Sequence, residues 1–200
     1  CSSPVNIGRV EKMSKSKKNV IDPNILLDKY GADTTRLFCL FAAPPERDLE
    51  WSEQGVEGSY RFLQRVWRLA ENWLPLIGDV PSAEGDLSTT LPETKELYRK
   101  THATIKRVTQ DIEERFHFNT VISAVMELVN QMYGIETGNN DRHIAEVVRF
   151  ALETTALLLA PVVPHFSEEF WENLGNSGSV LLQPWPEFRD DALAVDEILV

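Results

Sequence analysis

Five residues near the start of the chain carry its densest chemistry: Lys12-Met13-Ser14-Lys15-Ser16, followed directly by Lys17 and Lys18. Two ammonium groups three residues apart, on a loop with two hydroxyls, can surround a polyphosphate. They would neutralise charge that builds on an α-phosphate and on departing pyrophosphate. The small serines let the backbone approach closely and add donors, and Met13 gives a moving loop an apolar foot. A solvated lysine-rich turn or a nuclear-localisation patch is the competing reading of so short a basic run. A second set is Arg61, Arg65 and Arg68, spaced i, i+4 and i+7 on one helical face. Guanidiniums on a rigid helix suit a phosphate backbone. Glu57, four residues before Arg61, equally suits an ordinary salt-bridged face. His165-x-x-Glu168-Glu169 lacks the second histidine, at position 169, that a zinc-binding helix of this spacing needs. No metal site is therefore expected, and His165 is read as packing beside Phe166 and Trp171.

These groups need elements to hold them. Val5 to Val10 reads as a strand or hairpin arm entering the basic stretch. Asp22-Pro23 is a capped helix start, and that helix should end at Gly31. Asp33 is expected to cap a second helix through Leu37, Phe38, Leu40 and Phe41, stopped by Pro44-Pro45. Cys39 lies within it as a small core residue. Ser52 opens a longer helix whose stripe is Phe62, Leu63, Val66, Leu69, Ala70 and Trp73. The arginine face lies roughly 120° from that stripe, and Pro75 and Gly78 end the helix. A surface loop then runs to Pro92.

Three more amphipathic segments come next. Leu97, Thr101, Ile105, Val108 and Ile112 share one face of the first. Asn119 caps the second, which buries Val121, Ile122, Val125, Leu128, Val129 and Met132. The third carries Ile144, Val147, Val148, Ala151, Leu152 and Leu158 up to Pro161. A short helix from Pro164 to Leu174 ends in a Gly-Asn-Ser-Gly turn, and Val180–Leu182 reads as extended. The patterning predicts a mainly α chain, with roughly four to five helices in a bundle behind a small mixed segment.

Charge and composition narrow the function classes. The 200 residues carry a net charge of −11, but the first twenty carry +4 and the remainder −15. Indiscriminate phosphate binding by the whole surface is excluded, and a polyanion would be met at the cationic head and at a few placed arginines. Two cysteines, Cys1 and Cys39, make no disulfide framework, so a soluble reducing compartment is expected. The apolar run from Thr154 to Pro164 is too short to span a bilayer, and no leader opens the sequence. His102, His117 and His143 stand isolated. Arg36, Arg99 and Lys100 read as solvated surface. The five tryptophans, Trp51, Trp67, Trp73, Trp171 and Trp185, read as packing residues.

The lysine pentad matches the KMSKS signature loop of class I aminoacyl-tRNA synthetases, and the residues after it give the chain a pattern that resembles the leucyl-tRNA synthetases of bacterial type. The likeness runs from Glu11-Lys-Met-Ser-Lys-Ser-Lys-Lys-Asn19 through Asp22-Pro23 and Tyr30-Gly-Ala-Asp-Thr-Thr-Arg-Leu-Phe38. It continues through Leu49-Glu-Trp-Ser-Glu-Gln-Gly-Val-Glu-Gly58 and Arg61-Phe-Leu-Gln-Arg-Val-Trp67. Later come Phe118-Asn-Thr120, Ala160-Pro-Val-Val-Pro-His-Phe-Ser-Glu-Glu-Phe-Trp171 and Gln183-Pro-Trp-Pro186. Ala-Pro-x-x-Pro-His is shared with the isoleucyl, valyl and methionyl relatives. The Glu-Trp, Gly-Val-Glu-Gly and Arg-Phe-Leu-x-Arg-Val-Trp pieces point to leucine.

The resemblance implies a class Ia anticodon-binding helical bundle preceded by a short α/β segment. Its divisions would be residues 1–52 for the loop and stem-contact segment, 53–188 for the bundle, and 189–200 for a tail leading to a further C-terminal domain. It implies that the parent enzyme activates leucine with ATP and Mg2+ and transfers it to tRNA(Leu). Lys15 would act on the ATP phosphates in the transition state and Lys12 would support it. Met13, Ser14 and Ser16 would complete the loop, and Arg61, Arg65 and Arg68 would face tRNA. The family's His-x-Gly-His segment, nucleotide-binding unit and editing domain are not in these residues. The chain is thus expected to be a piece of a longer cytoplasmic, monomeric enzyme, without membrane contact and inactive alone. An isoleucyl or valyl enzyme, or a non-catalytic helical interaction module, is the alternative.

Overall fold

A computed structural model describes residues 11–83, 91–137 and 142–194. Two short helices come first, α1 (Pro23–Tyr30) and α2 (Ala32–Ala42). Five longer or mid-length helices follow: α3 (Glu53–Ile77), α4 (Pro92–Gln110), α5 (Phe118–Tyr133), α6 (Arg142–Leu159) and α7 (Pro164–Asn173). A single turn, α8 (Asp190–Leu193), lies near the end. No strand occurs among the described residues, and the expected Val5–Val10 arm lies outside them.

Apolar spacing decides the packing. α4 packs on α5 and α6, α3 on α6 and α5, and α2 covers α3 and α5. The predicted stripes supply the core: Phe62, Val66 and Trp73 from α3, Leu97, Ile105 and Val108 from α4, and Val125, Leu128 and Met132 from α5. α6 contributes Val147, Val148, Ala151 and Leu152, all fully buried. Each buried side chain of this size is worth about 1.5–3 kcal/mol against leaving it in water.

Several helix ends match their residues. The Asp22 carboxylate accepts from Asn24 N–H at 3.0 Å with Pro23 at the first helical position, and Ser52 Oγ accepts from Gly55 N–H at 3.1 Å. Gly31 ends α1 at φ +81°, where a residue with a Cβ would be strained.

Others depart from expectation. α3 does not stop at Pro75 but runs through it to Ile77. Pro75 and Glu71, whose carbonyl loses its donor, both face solvent, where water satisfies the carbonyl. Trp73 and Ile77, 1% and 0% exposed, hold the last turn to the core. Asn119 does not cap α5: the helix begins at Phe118, one residue earlier. α4 runs into a wide turn over Asp111–Arg115, closed by His117 N–H on the Asp111 carbonyl at 3.2 Å. Phe116, at φ +56°, then sets the corner. Val180–Leu182 closes into a 3-10 turn rather than an extended segment. The Glu168 carboxylate gathers Val180 N–H at 3.0 Å together with the Ser179 hydroxyl, and those bonds draw its pKa below the usual range. Cys39 is exposed, not core.

Two arginines brace the helices, Arg149 from within and Arg36 from the surface. Arg149 donates to the Ile77 carbonyl at 3.0 Å and the Leu174 carbonyl at 3.3 Å, and pairs with Glu153 at 2.9 Å. One guanidinium thereby caps the C-terminal ends of α3 and α7. Arg36, read as solvated from sequence, donates to the Val162 and Pro161 carbonyls at 2.9 and 3.0 Å, tying α2 to the α6–α7 turn.

The segment over 183–194 lies along α4. Trp185 Nε1 donates to Thr109 Oγ1 at 2.8 Å, and Lys106 pairs with Asp190 at 3.2 Å. Arg189 N–H donates to His102 Nδ1 at 3.2 Å. His102 is buried, and that desolvation, with the nearby Arg189 charge, pushes its pKa down to about 4.

Candidate functional site

The lysine loop is a small turn held by short polar groups. Ser14 caps a 3-10 turn over Lys15–Lys17, its Oγ accepting from Lys17 N–H at 3.3 Å and lying 3.2 Å from Ser16 Oγ. Lys18 sits at φ +53° and donates its N–H to the Lys15 carbonyl at 3.2 Å. The reversal brings Asn19 back across the loop. Its Oδ1 accepts from Ser14 N–H at 2.8 Å, and its Nδ2 donates to the Lys12 carbonyl at 3.5 Å.

The lysines fall into two groups. Lys17 pairs with Glu11 at 2.8 Å. Lys12, Lys15 and Lys18 are exposed and have no acidic partner among the described residues, while Met13 is 41% exposed. All five sequence-predicted loop residues thus sit on one turn, with both ammonium groups open to a ligand. Glu11 and Asn19 were not singled out from sequence. Their signal was present as an acid and a turn-favouring amide flanking a lysine run.

The three arginines share a helix face but not a state. Arg61 is well exposed and lies 3.7 Å from Glu57, the pairing that spacing allowed. Arg65 is committed to α5: its Nη2 donates to Asn130 Oδ1 at 3.0 Å, and it lies 4.8 Å from the Tyr133 ring centroid. Tyr133 completes that contact by donating its hydroxyl to the Arg65 carbonyl at 2.8 Å. Arg68 is exposed and, among the described residues, donates only to its own helix, to the Gln64 carbonyl at 3.3 Å. Arg99 and Lys100 pair with Glu96 and Glu127.

One junction was missed entirely. Asp33 does not cap its own helix, whose first turn begins directly after Gly31. Its carboxylate accepts from Phe166 N–H at 2.6 Å and lies 3.0 Å from His165 Nδ1, so it caps α7 from across the fold. His165 is therefore an exposed ring fixed by Asp33, not one packed beside Trp171. No group of three or more His, Cys, Asp or Glu side chains that could hold a metal ion occurs among the described residues. Among them, no helix is long and apolar enough to cross a membrane.

Two families match the chain. One, described as tRNA synthetases class I (I, L, M and V), matches residues 3–52. The other, the anticodon-binding domain of tRNA ligase, matches residues 94–199. A leucine–tRNA ligase of Desulfatibacillum aliphaticivorans is 58% identical over 200 residues, which is 100% of this chain and 23% of that protein. One of Desulforapulum autotrophicum is 57% identical with the same coverage. The chain therefore spans 23% of the length of these relatives. Among solved structures, the fold is similar to the crystal structure of the ternary complex of Agrobacterium radiobacter K84 agnB2 LeuRS–tRNA–LeuAMS. The TM-score is 0.81 at 32% identity, covering 92% of this chain and 23% of that one. The chain belongs to the family of anticodon-binding domains of tRNA ligases, and its likeness within the class I synthetases is to leucine–tRNA ligases.

Proposed function

We propose that this chain provides the ATP-closing loop and the tRNA-facing bundle of a leucine–tRNA ligase, which activates leucine with ATP and transfers it to tRNA(Leu). The observation that carries the reading is the loop's charge. Lys12 and Lys15 project from a stapled turn without acidic partners among the described residues, in a chain whose net charge is −11. Similarity to leucine–tRNA ligases over all 200 residues supports it.

In this reaction a leucine carboxylate oxygen attacks the α-phosphorus of ATP, and the bond to the bridging oxygen breaks as pyrophosphate leaves. The Lys15 ammonium stabilises charge gathering on the phosphates, with Lys12 beside it. Ser14 and Ser16 shape the turn, and Met13 seats it against apolar surface. Charge that engages only on loop closure favours the transition state over the ground state. Mg2+ bound with ATP would supply further positive charge at the phosphates.

Residues 1–52 form the loop and stem-contact segment in this reading, 53–188 the bundle, and 189–200 a tail leading onward. The start of α3 behind the Ser52 cap supports the first boundary. Arg61 and Arg68, exposed on α3, are the stronger phosphate contacts for tRNA, and Arg65 adds less because it is held by α5. The enzyme would be cytoplasmic and monomeric.

The test is Lys15→Ala in a full-length ligase carrying this segment. Leucine-dependent ATP–pyrophosphate exchange is expected to fall by about 10²–10³-fold, with an unchanged melting temperature. Exchange within about threefold of the parent overturns the reading.

A further inference from the structure

We infer that Asn19 is a positioning residue for leucine activation, its carboxamide stapling the lysine loop into the shape from which Lys12 and Lys15 reach phosphate. The inference rests on the loop being the ATP-closing element.

The local turn alone would not fix both lysines. Its backbone bonds, Lys17 N–H to the Ser14 carbonyl and Lys18 N–H to the Lys15 carbonyl, each at 3.2 Å, order residues 14–18 and leave Lys12 and Met13 free to swing. Asn19 extends the order backwards. Through the Ser14 amide at 2.8 Å and the Lys12 carbonyl at 3.5 Å it ties down backbone five and seven residues upstream. A carboxamide does so because its acceptor and donor sit on separate atoms, Oδ1 for the Ser14 amide and Nδ2 for the Lys12 carbonyl. Lys18 adopts the left-handed conformation, rare for a residue with a Cβ, and this turns Asn19 onto Ser14.

Glu11 contributes from the other flank. Its pairing with Lys17 removes a lysine that could compete for the same anion. The loop is thereby pre-shaped before ATP arrives. Each residue already ordered is one whose backbone freedom need not be lost as the loop closes, so Asn19 acts on the rate through the two lysines and touches no reactant.

Three measurements on a full-length ligase carrying this segment test the inference. Asn19→Ala is expected to slow leucyl-adenylate formation roughly tenfold and to abolish hydrogen-exchange protection of the Ser14 amide. Single-turnover transfer of leucine to tRNA, from adenylate accumulated on the enzyme beforehand, is expected to stay within about twofold of the parent. Equal losses in both steps would mean that Asn19 only supports the fold, and would overturn the inference. If Lys15→Ala slows activation while Asn19→Ala does not, the staple is irrelevant and the loop reading survives. If Lys15→Ala itself leaves activation intact, the loop reading and the inference fail together.

Discussion

The lysine loop and the helical bundle treat positive charge in opposite ways. In residues 11–19 the backbone is held by serine and asparagine, and only Lys17 pairs with an acid, leaving Lys12, Lys15 and Lys18 without an acidic partner among the described residues. In the bundle, cations are drawn into the structure. Arg149 caps helix ends, Arg65 joins α3 to α5, and Lys100 and Arg107 share Glu127, whose pKa their bonds and charges lower. With 31 acidic and 20 basic residues, acids outnumber the cations they could pair with. Against that excess of acid the loop keeps several lysines open, and short polar groups bonded to backbone keep the turn ordered without supplying a counter-ion.

The largest expected stability effect comes from reversing the bundle's side of this contrast. Arg149 and Glu153 have side chains only 12% and 15% exposed, and the guanidinium also serves carbonyls on α3 and α7. Arg149→Ala leaves a nearly buried carboxylate and several carbonyls without their donor, a loss of about 3 kcal/mol. Urea unfolding should show a lower midpoint with little change in slope. Lys15→Ala, by contrast, should leave that midpoint in place. If both variants unfold alike, the division between structural and open cations is wrong.

A smaller, pH-dependent effect is expected at His102. The ring faces Tyr98 and Phe150, with centroids at 4.5 and 5.1 Å, and the charges of Arg189 and Asp191 bear on it. Its Nδ1 accepts from Arg189 N–H, and its Nε2 is buried without a partner. The folded pKa of about 4 lies below the ordinary value of 6.5. Between those values the unfolded chain binds a proton that the folded chain refuses, so stability falls as pH drops from 6.5 to 4 and is level above. The loss should approach about 2 kcal/mol and should loosen segment 183–194 from α4. His102→Leu should flatten that part of the stability profile. An unchanged slope between pH 6.5 and 4 would show that another group sets it.

The helices were legible because their signals are local. The apolar stripes of α3 to α6 repeat at about 3.6 residues, and the Asp22 and Ser52 caps bond within their own first turns. What escaped has a partner far along the chain. Asp33 looks like the cap of α2 but serves Phe166, 133 residues away, and Arg36 looks like a surface cation but reaches Val162. Around Cys39, sequence shows an unbroken apolar run, yet only Leu37 and Phe38 turn fully inward while Cys39 faces out. The lysine loop was legible as a set of residues, since its chemistry is contiguous. Its staple was not, because a serine amide five residues from an asparagine leaves no periodic trace.

The arginine face of α3 gives the subtlest test, because it crosses the divide between the two regions. Arg61 has a long contact with one exposed acid, and among the described residues Arg68 bonds only its own helix, so both resemble the open lysines. Arg65 belongs with the internal braces through Asn130 and Tyr133. If tRNA runs along this face, Arg61→Glu and Arg68→Glu in a full-length enzyme should each raise the tRNA KM by about fivefold and reduce its salt dependence by about one counterion, leaving adenylate formation unchanged. Arg65→Glu should instead lower stability, by about 1 kcal/mol, before it alters tRNA binding. Equal tRNA KM values in the parent, Arg61→Glu and Arg68→Glu would return this face to an ordinary salt-bridged surface. The loop, with lysines on one turn that are unpaired among the described residues, would then be the better-supported place for this acidic chain to meet a polyanion.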